Sequence, residues 1–159
     1  MLRAFFFKGD TIFMTCIDVT LPPLKRDRPL LLVAAAVLID QKGQVLFAER
    51  PAGKAMAGLW EFPGGKVHQD EIPEAALVRE LREELGIETS VGCLWPLTFA
   101  SHAYDDFHLL MPLYGCRMWK GEPYAREGQK LAWVAKTEWK KYPMPEADKA
   151  LIETLWALL

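Results

Sequence analysis

Two apolar runs separated by a short polar turn indicate β-structure in the first half of the chain. The first run covers residues 30–39, the polar turn 40–43 follows, and a second run begins at residue 44. Periodicity alone fits either a buried strand or a buried helix for the first run. The turn and the apolar segment directly after it favour two strands that pair as a hairpin. A short strand over 59–62 is expected next, and the Pro-Gly-Gly sequence at 63–65 is expected to break it.

A helical spacing of apolar residues occurs twice farther along the chain. From Pro73 to about Leu85 the apolar residues share one face, Pro73 suits the first helical position, and Gly86 suits the helix end. Residues 146–159 show a second amphipathic pattern, whose apolar side comprises Ala147, Leu151, Leu155 and Leu158. Both segments are therefore predicted to be helices that bury one side.

Three more strands are predicted, near residues 91–101, 107–117 and 130–135. Strands on both sides of a mid-chain helix, with a second helix at the end, predict a layered α/β domain rather than a doubly wound sheet. Residues 1–29 end in a stretch rich in proline and charge, so we expect an N-terminal extension or linker, or translated sequence upstream of a start at Met14. One domain is expected over residues 30–159.

The composition is that of an ordinary globular protein, and its charge argues against several classes of partner. Of 159 residues, 51% are hydrophobic and 25% are charged. A net charge of -2 gives no general attraction to nucleic-acid backbone or anionic membrane, so neither is expected as a partner. Three scattered cysteines without metal or redox spacing favour a reducing cytoplasm. Both a monomer and a homodimer are open.

Three glutamates share one face of the predicted mid-chain helix. At about 100° per residue, Glu83 and Glu84 fall within roughly 60° of Glu80, on opposite sides of it. Like charges at these spacings repel, and Mg²⁺, which prefers oxygen ligands, would relieve the repulsion. A solvated acidic helix face would show the same residues. Arg79 beside them and the paired glycines upstream favour a ligand site, because glycine lets the backbone approach a ligand closely.

The segment 65–87 matches the pattern G-x5-E-x7-R-E-U-x-E-E-x-G-U, in which U is aliphatic, at every position. The matching residues are Gly65, Glu71, Arg79, Glu80, Leu81, Glu83, Glu84, Gly86 and Ile87. In this the chain resembles the Nudix hydrolase superfamily. The resemblance implies an α/β/α sandwich with a mixed sheet, and an enzyme that uses Mg²⁺, or alternatively Mn²⁺, to cut a diphosphate linkage in a nucleotide.

The same resemblance implies a metal-binding set on the helix. Glu80, Glu83 and Glu84 are expected to bind the metal, together with the carbonyl oxygen of Gly64. Glu127, in a loop before the last predicted strand, is where relatives place a further carboxylate that binds metal or acts as a base. An exposed loop glutamate without such a role is the alternative for this residue.

Two further questions concern the charged groups around this set. Arg79 is expected to orient the carboxylates through its planar guanidinium, and Glu71 to support it, although a purely structural role for both is open. A carboxylate must take the proton of the attacking water, and both Glu80 and Glu127 are candidates for that role.

Outside this segment, residues 30–159 resemble the MutT-type members of the superfamily. The matching pieces are E-R-P at 49–51, G-L-W-E-F-P-G-G-K at 58–66 and R-E-G-Q at 126–129. The resemblance implies that Arg50 and Lys66 lie near the phosphates and that Phe62 borders the base pocket. It also implies that Asp148 forms hydrogen bonds with the base edge. An N-cap of the last helix is an equally open interpretation of Asp148.

The resemblance suggests a nucleoside triphosphate substrate and the products nucleoside monophosphate and pyrophosphate. Within the MutT-type subgroup the expected substrate is 8-oxo-dGTP. CTP or 5-methyl-dCTP is the alternative, since some pyrimidine-preferring relatives share the same sequence pattern. Asp148 stands where the best-known member has an amide. An ionised carboxylate only accepts, whereas an amide donates and accepts, so this difference fits either a guanine-type donor edge or a cytosine-type substrate. A tyrosine near Tyr104 marks some dinucleoside polyphosphate hydrolases. A Nudix module that binds a nucleotide without cutting it is a further alternative, although such modules usually have an incomplete motif.

Overall fold

A computed structural model describes residues 28–158, so the expected N-terminal extension lies almost entirely outside the described residues. The strands are β1 (Leu30–Leu38), β2 (Val45–Glu49), β3 (Trp60–Glu61), β4 (Gly64–Lys66), β5 (Leu94–Ala103), β6 (His108–Cys116) and β7 (Lys130–Val134). The helices are α1 (Pro73–Leu85) and α2 (Glu146–Leu158). Within 28–158, neither helix is long and apolar enough to cross a membrane.

The strands form two sheets. One has four strands in the order β4-β1-β6-β5, in which β1 runs parallel to β6 and the other neighbours are antiparallel. The other has three antiparallel strands in the order β3-β2-β7. Alternate residues of β1 face two different apolar layers, one shared with α1 and one shared with α2. The helices therefore cover opposite faces of the mixed sheet, which confirms the expected α/β/α architecture.

The prediction that the first two strands pair as a hairpin is wrong. The polar turn forms, and the carboxylate of Asp40 accepts hydrogen bonds from the backbone N–H groups of Lys42 and Gln44, both at 2.8 Å. After a single bridge between Ile39 and Val45, however, β1 and β2 enter different sheets. Both strands are apolar on both faces and must be covered on both. Packing the sheets face to face achieves this, whereas pairing the two strands edge to edge would not.

The strand that precedes the Pro-Gly-Gly sequence ends as predicted, because β3 stops at Glu61. The glycine pair at 64–65 then begins a new strand, β4, in the other sheet. Gly64 lies opposite Ala35 and Gly65 opposite Ala34, in an antiparallel pairing of β4 with β1. Gly64 has φ 153°, and a Cβ at this position would overlap the carbonyl oxygen of Ala34. Only glycine lets the strand pass this close to its neighbour.

Helix α1 has the predicted bounds. Pro73 occupies its first turn, and Gly86 ends it in the left-handed conformation at φ 67°, donating its N–H to the carbonyl oxygen of Arg82 at 3.1 Å. Its buried residues are Ala76, Leu77, Leu81 and Leu85. Helix α2 also forms where predicted, but its apolar side was predicted wrongly at Leu158. That side chain is 56% exposed, because the last turn carries it beyond the core.

Candidate active site

A cavity of about 520 Å³ opens between the two sheets, a size typical of small-molecule sites. Its walls come from β1, from the loop after β2, from β3 and β4, from one face of α1, from the β5–β6 hairpin and from the start of α2. Eight of the eleven residues that the sequence predicts to bind metal or substrate, to act in catalysis or to support these groups line it: Arg50, Phe62, Gly64, Lys66, Glu80, Glu84, Glu127 and Asp148. The other three, Glu71, Arg79 and Glu83, lie outside its lining.

Arg79 connects the carboxylates at the charged end of the cavity. Its Nε and Nη2 donate to the two carboxylate oxygens of Glu71 at 2.7 and 2.8 Å. Its Nη1 donates to Glu80 at 2.7 Å and to Glu83 at 3.2 Å. These bonds hold the pKa of the Glu71 carboxyl down at about 2 and raise the pKa of Arg79. The guanidinium fixes the carboxylates in place, and it neutralises only part of their charge.

Glu84 is the carboxylate of this region whose negative charge is most disfavoured. Burial, followed by the negative charges of Glu80, Glu127 and Glu61, raises the pKa of its carboxyl to about 8. Gly65 allows the Glu80 carboxylate to lie close to β4, because a Cβ at position 65 would overlap that carboxylate. Carboxylates crowded together without enough cations are a donor set that suits a hard divalent ion. The residues present therefore fit a divalent metal.

Among the described residues 28–158, no three carboxylates converge as a preformed metal cage. Arg79 holds the carboxylates of Glu80 and Glu83, and Lys54 forms an ion pair with Glu127 at 2.6 Å. The carboxylates that the sequence predicts as ligands thus reach one end of one cavity, or its border. Glu80, Glu83 and Glu127 are each held by a basic side chain, whereas Glu84 forms no ion pair among the described residues.

Gln129 positions Glu127 and was not predicted. This buried amide donates its Nε2 hydrogen to the carbonyl oxygen of Glu84 at 2.9 Å and accepts the backbone N–H of Glu127 at 2.8 Å. Arg126 donates to the carbonyl oxygen of Arg82 at 3.0 Å. The last carbonyls of a helix lack partners within the helix, so the polar R-E-G-Q sequence could have suggested a docking role. It ties the Glu127 loop to the end of α1.

Arg50 and Lys66 bracket the same end of the cavity. Arg50 donates from Nη1 to Glu61 at 2.6 Å and from Nε to the carbonyl oxygen of Ala55 at 2.7 Å. Burial raises the pKa of the Glu61 carboxyl, and Arg50 opposes this rise. Lys66 is exposed on β4. Neither Glu61 nor Lys54 had an assigned role in the sequence, because nothing local marks a residue that faces a cavity formed by distant segments.

The opposite end of the cavity is apolar. Phe62 is 4% exposed and packs edge-on against Phe47, with ring centroids 5.6 Å apart. The aromatic side chains of Tyr104 and Phe107, at the β5–β6 hairpin, line the cavity as well. A flat apolar slot of this kind suits a planar ring.

Asp148 lies at this apolar end and is 5% exposed. Its Oδ1 accepts the backbone N–H of Phe62 in a long hydrogen bond of 3.4 Å. Burial is the main reason that the pKa of this carboxyl rises to about 7. The interpretation of Asp148 as an N-cap is wrong, because α2 begins at Glu146 and places this residue inside its first turn.

A NUDIX domain model matches residues 34–154. A CTP pyrophosphohydrolase of Escherichia coli is 43% identical over 125 residues, which are 77% of this chain and 90% of that protein. An 8-oxo-dGTP diphosphatase of Haemophilus influenzae is 35% identical over 136 residues, which are 81% of this chain and 93% of that protein.

Solved structures agree with these matches. The solution structure of the E. coli ORF135 protein is 37% identical and has a TM-score of 0.72, covering 86% of this chain and 95% of that one. A structure of MutT from work on Aliivibrio salmonicida and Vibrio cholerae is 30% identical with a TM-score of 0.70, covering 82% of this chain and 99% of that one. The expected family and fold are thereby confirmed, and the chain belongs to the NUDIX domain family.

Proposed function

We propose that the chain is a Mg²⁺-dependent nucleoside triphosphate pyrophosphohydrolase of the cytoplasm, releasing a nucleoside monophosphate and pyrophosphate. The carrying observation is one cavity with a carboxylate-rich and basic end on α1 and an apolar end that holds a single buried carboxyl. The expected enzyme class is confirmed by relatives named as a pyrophosphohydrolase and as diphosphatases. The biological role that we propose is removal of damaged or unwanted nucleotides, with 8-oxo-dGTP as the first candidate substrate.

Members of the NUDIX family generally need a divalent metal ion. In this chain the residues that would hold it are Glu80, Glu83, Glu84, Glu127 and the carbonyl oxygen of Gly64. When bound, Mg²⁺ neutralises the phosphate charge and lowers the pKa of water. Mn²⁺ is also suited to an all-oxygen donor set.

The side chains around this end of the cavity bind and orient the triphosphate. Arg50 and Lys66 donate to phosphate oxygens, as does Lys54, which exchanges its carboxylate partner for a phosphate. Arg79 keeps Glu80 and Glu83 in position throughout, because two further hydrogen bonds that it donates to Glu71 hold the guanidinium itself.

Glu80 and Glu127 compete for the role of the base that takes the proton of the attacking water. The Glu80 carboxylate is 15% exposed and bonded to Arg79, whereas Glu127 is 41% exposed and bonded only to Lys54 in the described structure. Glu80→Gln and Glu127→Gln variants separate the two roles. The base must be ionised, so kcat falls at low pH as it becomes protonated. Replacing the base with glutamine should remove this fall from the plot of kcat against pH, whereas replacing the other residue should leave the fall in place.

At the apolar end of the cavity, Phe62 packs against the nucleobase of the substrate, and Asp148 forms hydrogen bonds with the edge of that nucleobase. The second candidate substrate, CTP or 5-methyl-dCTP, is favoured by the 43% identity to a CTP pyrophosphohydrolase. The mechanism is the same for both candidate substrates, since the nucleobase lies at the end of the cavity away from the carboxylates of α1.

A substrate panel with Mg²⁺ tests the proposal: 8-oxo-dGTP, dGTP, CTP, 5-methyl-dCTP, ADP-ribose and Ap4A, with pyrophosphate and monophosphate as the readout. Preference for 8-oxo-dGTP supports the first candidate, and preference for a cytosine nucleotide supports the second. Preference for Ap4A would favour the dinucleoside polyphosphate alternative marked by Tyr104. No turnover of any substrate would overturn the proposal in favour of a binding module.

We further propose that the protein acts on free nucleotides as a monomer or homodimer, without a stable nucleic-acid or membrane partner. A net charge of -2 supports this, because it provides no broad basic surface. Light scattering determines the oligomeric state, and gel-shift assays with single- and double-stranded DNA at low salt would detect a nucleic-acid partner.

A further inference from the structure

Asp148 is a buried acid without an ion-pair partner among residues 28–158. It is one of two buried polar or charged residues, with Gln129, and no basic side chain lies within salt-bridge distance of it. Its one hydrogen bond across the cavity wall, from the backbone N–H of Phe62, is 3.4 Å long. A carboxylate so poorly compensated gains little from being ionised in this site.

The groups that face Asp148 do not stabilise its charge. From β3, the carboxyl of Glu61 repels it, and the cation that follows β2, Arg50, is bonded to that same Glu61. From the β5–β6 hairpin, the phenol of Tyr104 lies close enough to Asp148 for the negative charge of Asp148 to raise the pKa of the phenol, after burial as the main cause.

The other charged groups on α2 contribute little to the pKa of the Asp148 carboxyl. Glu146, in the same first turn of α2, is exposed, forms an ion pair with Lys149 and feels the charge of His102. Desolvation therefore dominates, and the pKa of the Asp148 carboxyl rises to about 7. Both protonation states of this one side chain are accordingly present near neutral pH.

The two protonation states offer different hydrogen bonds to a base. An ionised carboxylate only accepts, whereas the neutral acid donates from one oxygen and accepts at the other. The Watson–Crick edge of guanine presents two adjacent donors, N1–H and the N2 amine. That of cytosine presents a donor, the N4 amine, beside an acceptor, N3. The ionised form therefore complements guanine and the neutral form complements cytosine.

We propose that the protonation state of Asp148 selects the class of base, so that the ionised side chain favours guanine-type triphosphates and the neutral side chain favours cytosine-type triphosphates. This inference rests on the proposed function and deepens it. It accounts for one chain that is similar in sequence to both an 8-oxo-dGTP diphosphatase and a CTP pyrophosphohydrolase. The preference of the enzyme then changes with pH without any change in fold.

The test is a competition between dGTP and dCTP in one reaction mixture with Mg²⁺, followed from about pH 6 to about pH 8.5. The two substrates share sugar and triphosphate, so metal binding and the base-independent steps cancel, and the product ratio gives the ratio of the two kcat/KM values. We expect the dGTP/dCTP ratio to rise with pH, by about tenfold per pH unit at the steepest point, as titration of one proton requires. Where one nucleotide is not turned over, its inhibition constant against the other replaces kcat/KM.

Two variants make the result specific to this side chain. Asp148→Asn has a donor and an acceptor at every pH, so its ratio should favour dCTP and stay flat. Glu61→Gln removes the repelling charge and should move the rise in the ratio to lower pH. Circular dichroism checks that both variants fold, and if Asp148→Asn does not, the shift in Glu61→Gln decides alone.

The outcomes separate this inference from the proposed function. Turnover of neither nucleotide, with no inhibition by either, would contradict the proposed function itself. Turnover with a flat ratio in the unaltered protein would overturn the base-selection proposal and leave the hydrolase intact. A rise that persists unchanged in both variants would also overturn it, because the proton would then belong to another group.

Discussion

The stability of the protein should fall with rising pH because of Asp148, and replacing this residue with asparagine should remove that fall. The pKa of its carboxyl is raised from the usual 3.8 to about 7 in the folded chain, mainly by burial. Since the folded state holds this proton more tightly than the unfolded state, the contribution of Asp148 to stability is greatest below about pH 4 and is lost as the pH rises through about 7. The difference between the two pKa values corresponds to about 4 kcal/mol, as an upper limit.

Urea unfolding at several pH values measures this directly. Because about a third of the decline occurs below pH 5, Asp148→Asn should gain about 2–3 kcal/mol relative to the unaltered protein between about pH 5 and about pH 8. Every other carboxyl titrates in both proteins and cancels in the difference. Asp106→Asn, at an exposed loop position, makes the same chemical change without burial and is the matched control.

A pH-independent difference between Asp148→Asn and the unaltered protein would refute the reasoning. It would mean that water or a local movement solvates the carboxylate, and that burial in the described structure does not disfavour its charge. The competition assay between dGTP and dCTP would then have no titration to report. The stability experiment needs no substrate, so it tests the physical basis of base selection independently of catalysis.

Three further changes test the charged end of the cavity and the strand beside it. Glu83→Gln should lower turnover by at least ~100-fold with an unchanged melting temperature if this residue binds metal, and near-normal turnover would contradict that role. Lys54→Ala should raise KM for the triphosphate by roughly tenfold but change unfolding free energy by less than about 0.5 kcal/mol, because its ion pair is exposed; Lys42→Ala, outside the cavity, should change neither. Gly64→Ala should cost more than about 2 kcal/mol in urea unfolding, since the added Cβ overlaps strand β1. Gly92→Ala should be nearly neutral, since its added Cβ would meet only the Ser90 hydroxyl, at 4.0 Å.

Features that depend on neighbours along the chain could be predicted closely. Helix α1 runs from Pro73 to Leu85 as its apolar spacing and its terminal proline and glycine indicate. Strands β5, β6 and β7 begin and end within three residues of their predicted bounds. The spacing of the glutamates on α1 also places them on one side of the helix before any tertiary contact is known, because helical geometry is local.

Features that depend on distant segments could not be predicted. The sequence offered a hairpin for β1 and β2, and the need to bury both faces of both strands separated them into two sheets. The end of β3 before Pro63 was predicted, but the pairing of Gly64 with Ala35 in the other sheet was not, and there glycine permits the close approach of the two strands. In both places the neighbouring residues along the chain predicted the turn or the strand end correctly, and tertiary packing decided which strands pair.

The sequence by itself determined the NUDIX motif, the two helices and the identity of the charged residues on α1, because these follow from periodicity and spacing within about 20 residues. Only the tertiary structure decided that Lys54 pairs with Glu127, that Gln129 ties this loop to α1, and that Asp148 lies buried opposite Glu61. These contacts join residues far apart in the chain. Their energies depend on desolvation and on neighbouring charge, and both are properties of the folded chain rather than of any segment of its sequence.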